Sequence, residues 1–141
     1  MTTALARPAS SQTTHEFRWV VIPVEAVVAI GGLAGTWQLW TGTFTPPVSD
    51  LEPLGLDSWR LPAVWLFASV ALPSTLALAA AVRKHPRTPE IVLGASGLLL
   101  VEVTVQIPFV GPSALQAVFG GIALAMGGLA LIARRRRSWR R

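Results

Sequence analysis

Two carboxylic acids lie inside apolar stretches of this chain, Glu25 in WVVIPVEAVVAIGGLAGTWQLW and Glu102 in IVLGASGLLLVEVTVQI. An acid at the centre of a membrane helix costs on the order of 2.5–3.5 kcal/mol on insertion scales, so such a residue is a candidate functional group. Gln106 follows Glu102 by four residues and shares its helix face, whereas Thr104 falls on another. Ser69, Ser74 and Thr75 in a second apolar run, and Gln116 at the start of a fourth, are neutral partners within reach of a bundle. Three readings stay open for Glu102, Gln106, Glu25 and Gln116: a polar network that fixes helix register, a site for a proton, cation or small polar ligand, or a contact with another protein. Counted from the same end of the bundle, Glu25 is roughly 9 Å deep and Glu102 roughly 17 Å by the helical rise. A shared proton between them therefore needs helices that are offset.

Other chemistries lack their residues. There is no cysteine, which removes thiolate catalysis, disulfides and iron–sulfur ligation. The two histidines, His15 and His85, fall outside the apolar runs, so neither an intramembrane bis-histidine haem site nor any metal-ligand spacing is present, and no cofactor is expected. A membrane enzyme acting on lipid or quinone would need a nucleophile and a base, and no serine here carries such a motif. The sequence therefore reads as non-enzymatic.

The elements that position these residues follow from length and composition. The 141 residues are 52% hydrophobic and 13% charged, with mean hydropathy +0.53. Apolar runs over about 19–40, 61–82, 91–107 and 113–133 each approach the length that crosses a bilayer. We expect an all-α, four-transmembrane-helix bundle over 19–133, with a mobile polar tail over 1–18 and a basic tail over 134–141. The first run is too long for a signal-peptide core and lacks a cleavage site after it. Pro62 suits a helix start and Pro73 should kink the second span.

Orientation follows from arginine and lysine in the flanks. Arg7, Arg18, Arg83, Lys84, Arg87 and the six arginines Arg134, Arg135, Arg136, Arg137, Arg140 and Arg141 fall at one end, and only Arg60 at the other. Both termini are expected in the cytoplasm, with the protein in the inner (plasma) membrane. The arginine-rich usage and abundant alanine hint at a GC-rich bacterial genome. The tail RRRRSWRR reads as a lipid-headgroup anchor and topology signal, not a nucleic-acid element, and anionic headgroups are the expected partner. The net charge of +5 comes largely from it. Trp37, Trp40 and Trp59 are placed at an outer aromatic belt, with Trp19 and Trp139 at the inner one. The outer segment 41–60, with Leu51, Leu54, Leu56 and Trp59, either caps the bundle or lies on the membrane surface.

In lipid, helices associate through small residues that allow close backbone approach. Gly31 and Gly35 form one such pair; Ala117, Gly121, Ala125 and Gly128 form a stripe; Gly94 and Gly97 are similar. These faces pack the four helices together or join the chain to a second copy or a membrane-protein partner.

The segments PLGLDSWRLPAVWLF (53–67) and VEVTVQIPFVGPSALQAVFGG (101–121) resemble a group of small bacterial four-span membrane proteins of uncharacterised function. The second segment matches through Glu102, Gln106, Gly111, Leu115, Gln116 and Gly120. The likeness spans about half the chain and implies a four-helix bundle without an attached activity. In size and in its first-helix glutamate, Glu25, the chain is also similar to small multidrug resistance transporters. It departs from them in the long 41–60 connection and in lacking their aromatic pattern around the glutamate. The residues leave two functions in competition: an accessory or structural component of a membrane complex or homo-oligomer, and a small proton- or cation-coupled transporter or channel.

Overall fold

The computed structural model describes residues 9–138, with side chains from His15 to Arg136. Arg7, Trp139, Arg140, Arg141 and the side chain of Arg137 lie outside the described residues. Four long helices cover almost all of the rest: α1 (Ala9–Thr41), α2 (Arg60–Val82), α3 (Thr88–Val110) and α4 (Ala114–Ser138). No strand occurs among the described residues. Each helix holds a segment long and apolar enough to cross a membrane, so the chain is a multi-pass, all-helical membrane protein.

The helix bounds correct the sequence reading in two places. α1 begins at Ala9, so residues 9–18, expected as a mobile tail, are helical. α3 runs through Pro108 to Val110 instead of stopping at Ile107. Pro108 removes one bond from the last turn, and Gly111, at φ 75°, closes the helix by donating its N–H to the Ile107 carbonyl.

Pro73 perturbs α2 in a specific way. It has no N–H for the Ser69 carbonyl, and its ring crowds that carbonyl. The helix widens into a π turn over Phe67–Ala71, in which the Leu72 N–H reaches the Phe67 carbonyl five residues back. A kink was expected at Pro73; the wider turn just before it is what the residue produces.

Connections are closed by local hydrogen bonds. α1 ends with Gly42 at φ 72° and Thr43 N–H donating to the Gln38 carbonyl at 3.1 Å. α2 ends in the same way, with Lys84 at φ 57° and His85 N–H donating to the Ala80 carbonyl at 2.9 Å. The segment between α1 and α2 folds back through a 3-10 helix, Val48–Leu54, whose Leu51 is fully buried. Trp59 is buried as well and donates its indole N–H to the Pro46 carbonyl at 2.9 Å. It ties this loop down, and at that end Trp37 and Trp40 are exposed while Trp59 is buried.

Packing follows chain order. α1 lies on α2, α2 on α3 and α3 on α4, so α2 is flanked by α1 and α3. The core is built of small side chains in two clusters, Val21, Ala77, Ala81, Val92, Ala95, Met126 and Ala130 near the basic end, then Val28, Val70, Leu99 and Ala123. Close approach of α1 to α2 occurs at Gly32, where an added Cβ would meet the Ala71 backbone nitrogen at 3.0 Å. Gly35 faces Leu66 at 3.0 Å in the same sense, whereas Gly31 is exposed and would meet only Phe119 at 3.6 Å. The GxxxG pairing of Gly31 with Gly35 thus gives way to Gly32 with Gly35.

Gly32→Ala should lower unfolding stability in detergent by about 1–3 kcal/mol, because α2 backbone must shift to admit the methyl group. Gly31→Ala should be neutral or slightly stabilising by helix propensity. Denaturant titration of both variants checks the contrast.

Candidate functional site

Both intramembrane acids are buried, Glu25 at 3% exposure and Glu102 at 5%. They come from opposite sides of α2, and each finds a serine on it. Glu25 of α1 lies beside Ser74. Glu102 of α3 has Ser69 Oγ at 2.9 Å from Oε2, and Gln106 donates its side-chain N–H to Oε1 at 2.8 Å. The expected i, i+4 pairing of Glu102 with Gln106 is therefore present. Ser69 and Ser74 are themselves buried.

One helix serves both acids because its two serines face different neighbours. Ser69 and Ser74 are five residues apart, a spacing that a helix rotates to different faces, as acids arriving from α3 and α1 require. Ser69 lies inside the wider Phe67–Ala71 turn and Ser74 beyond it. The levels remain distinct. Along α1 and α2 the Glu25–Ser74 pair falls between the two apolar clusters, and the Glu102 group lies beyond the second, toward the 41–60 loop. The two acids thus occupy separate sites and share no proton. Among the described residues no buried side-chain nitrogen or oxygen is left without a partner.

Hydrogen counting constrains the Glu102 group further. The Ser69 hydroxyl also lies 2.8 Å from the Trp65 carbonyl. A hydroxyl has one hydrogen and cannot donate to both that carbonyl and a carboxylate. The Ser69 hydrogen therefore serves either Glu102 or the Trp65 carbonyl, while Gln106 donates to Glu102 throughout.

Gln116, the fourth candidate, belongs elsewhere. Its Oε1 accepts the Ser113 N–H at 2.9 Å while Ser113 Oγ accepts the Gln116 N–H at 3.3 Å. This reciprocal pair is a capping box at the start of α4, for which the Ser-x-x-Gln spacing was the available signal. Thr75 and Thr104 likewise spend their hydroxyls on their own helices, donating to Ala71 and Leu100 carbonyls. No group of three His, Asp or Glu side chains suited to a metal occurs among the described residues.

The small-residue stripe of α4 does not face the bundle. Ala117, Gly121 and Ala125 are exposed, and the buried positions of this helix are Gln116, Ala123, Met126 and Ala130. An added Cβ at Gly121, Gly128, Gly94 or Gly97 would meet nothing within 4 Å. Arg134, Arg135 and Arg136 are exposed at the far end of α4. Missed by the sequence reading was Arg18, whose guanidinium donates from Nε to the Ala81 carbonyl at 2.7 Å and from Nη2 to the Val82 carbonyl at 3.4 Å. It caps the last turn of α2 from α1.

Comparison with protein-family models, with curated proteins and with solved structures found no match.

A double-mutant cycle on Ser69→Ala and Glu102→Ala should give a coupling energy of about 0.5–2 kcal/mol, the range of buried interhelical hydrogen bonds. Thr104→Ala, exposed and bonded within its own helix, should change stability by less than about 0.5 kcal/mol. Additive single and double variants would mean that Glu102 and Ser69 do not hold each other.

Proposed function

We propose that this protein is a non-enzymatic accessory or structural component of a membrane complex or of its own oligomer, set in a bacterial inner membrane with both termini cytoplasmic. The observation that carries the reading is the outward placement of the small residues. Ala117, Gly121, Ala125 and Gly128 line a strip of α4 that the chain's own helices leave uncovered. Lipid offers no hydrophobic drive for association, so a strip admitting close backbone approach is the kind of surface on which another helix packs. Buried Glu102 supports the same reading, since its bond to Ser69 holds α3 to α2. The charge asymmetry of the two ends supports the orientation.

A second reading, a small proton- or cation-coupled transporter or channel, is favoured by one observation: Glu102 is buried inside a span with Ser69 and Gln106 on its two oxygens.

Purification of a tagged copy at native expression level in mild detergent, with the intact complex weighed, tests the first reading. We expect a homo-oligomer or a second protein in fixed ratio, weakened roughly tenfold by Gly121→Leu, which has open space around it in the single chain. A monomer that Gly121→Leu does not alter would overturn it. The second reading requires proton flux in proteoliposomes that Glu102→Gln lowers at least about tenfold; no carboxylate-dependent flux would remove it.

A further inference from the structure

The basic end of the bundle holds a cleft of about 270 Å³ lined by His15, Arg18, Trp19 and Ile22 of α1 and by Lys84 from the α2–α3 turn. The four α1 residues follow the spacing i, i+3, i+4, i+7, a single helix face. No acidic side chain lines the cleft.

The polar groups around it are donors. Arg18 spends Nε and one Nη2 hydrogen on the end of α2, which fixes its guanidinium plane and leaves its other Nη hydrogens for a ligand. His15 accepts the Trp19 indole N–H on Nε2 at 3.1 Å, so its own ring hydrogen sits on Nδ1. Lys84 has no ion-pair partner among the described residues. Its backbone occupies the left-handed region at φ 57°, where glycine is the usual helix-ending residue. A lysine there is strained, and strain of this kind collects at ligand sites. Beside the donors stand two apolar walls: Trp19, 66% exposed, and the half-buried Ile22.

We propose that this cleft binds the phosphate headgroup of one anionic phospholipid. Arg18 and Lys84 meet the phosphate oxygens by charge-assisted hydrogen bonds, and His15 donates from Nδ1. Trp19 and Ile22 lie against the glycerol and the first acyl carbons, at the interfacial level where tryptophan is favoured. The apolar walls select a lipid over free phosphate, since an inorganic anion leaves them wet. A lipid held here also reinforces the Arg18 cap that joins α1 to α2. The inference needs only that the bundle crosses a membrane, and it stands or falls separately from the oligomer reading.

Intact-mass measurement of the full chain in mild detergent, titrated with phosphatidylglycerol, phosphatidylcholine or inorganic phosphate, is the test. One phosphatidylglycerol per chain should be retained, at least about fivefold more tightly than phosphatidylcholine. Lys84→Asn, which tolerates the positive φ, should weaken it about fivefold, whereas Arg83→Gln, outside the cleft, should leave it unchanged. Equal retention of the two lipids would overturn the proposal. So would equal losses in the two variants, which would mean diffuse surface charge, or displacement of lipid by millimolar phosphate, which would mean a free-anion site.

Discussion

Pro73 has no amide hydrogen, and the helix around it is arranged by that lack. The carbonyl of Ser69 loses its donor, and the turn before the proline widens from α to π geometry. Widening costs backbone hydrogen-bond quality, and Ser69, inside the turn, meets Glu102 of α3. The same turn presents Ala71 to Gly32, the position where α1 comes closest to α2. One backbone irregularity therefore sets both the approach of two helices and the serine that meets Glu102.

From that helix outward, the bundle is held by few but well-placed polar bonds. Its core is rich in alanine and valine, which suits close packing in a solvent that gives apolar surfaces no reason to meet. The Glu102–Ser69 bond supplies direction where apolar contacts alone would let helices rotate. At the basic end Arg18 closes α2 from outside, and at the opposite end Trp59 and Leu51 draw the long connection onto the bundle. The outer strip of α4, by contrast, is held by nothing within the chain.

The spans were legible because bilayer thickness sets a length that apolar runs must meet. The Glu102–Gln106 pair was legible because it depends only on helical spacing. Rotation of each helix was not legible: with lipid outside and alanine inside, both faces are apolar, and amphipathicity carries little signal. For that reason Gly31 was taken for its neighbour Gly32, and the α4 stripe was not assigned to an inner or outer face. Residues 9–18 lack an apolar period, yet a helix once nucleated extends cheaply through polar residues. Gln116 was read as a site residue although Ser113, three positions before it, already spelled a cap. The α1 cleft face, His15, Arg18, Trp19 and Ile22, had a readable period, but its meaning waited on Lys84 from another helix.

The central claim is that the π turn sets how α2 meets its two neighbours, with Ser69 against Glu102 of α3 and Ala71 against Gly32 of α1. Ala68 is an exposed residue inside that turn, and its deletion converts the π turn to an ordinary α turn. Denaturant unfolding of this single-residue deletion in detergent is the most direct test. The account predicts lower stability than the wild-type chain, because Ser69 and Ala71, both inside the turn, lose the positions that meet Glu102 and Gly32. Unchanged or raised stability would contradict it, since removal of a turn that carries nothing should relieve the helix.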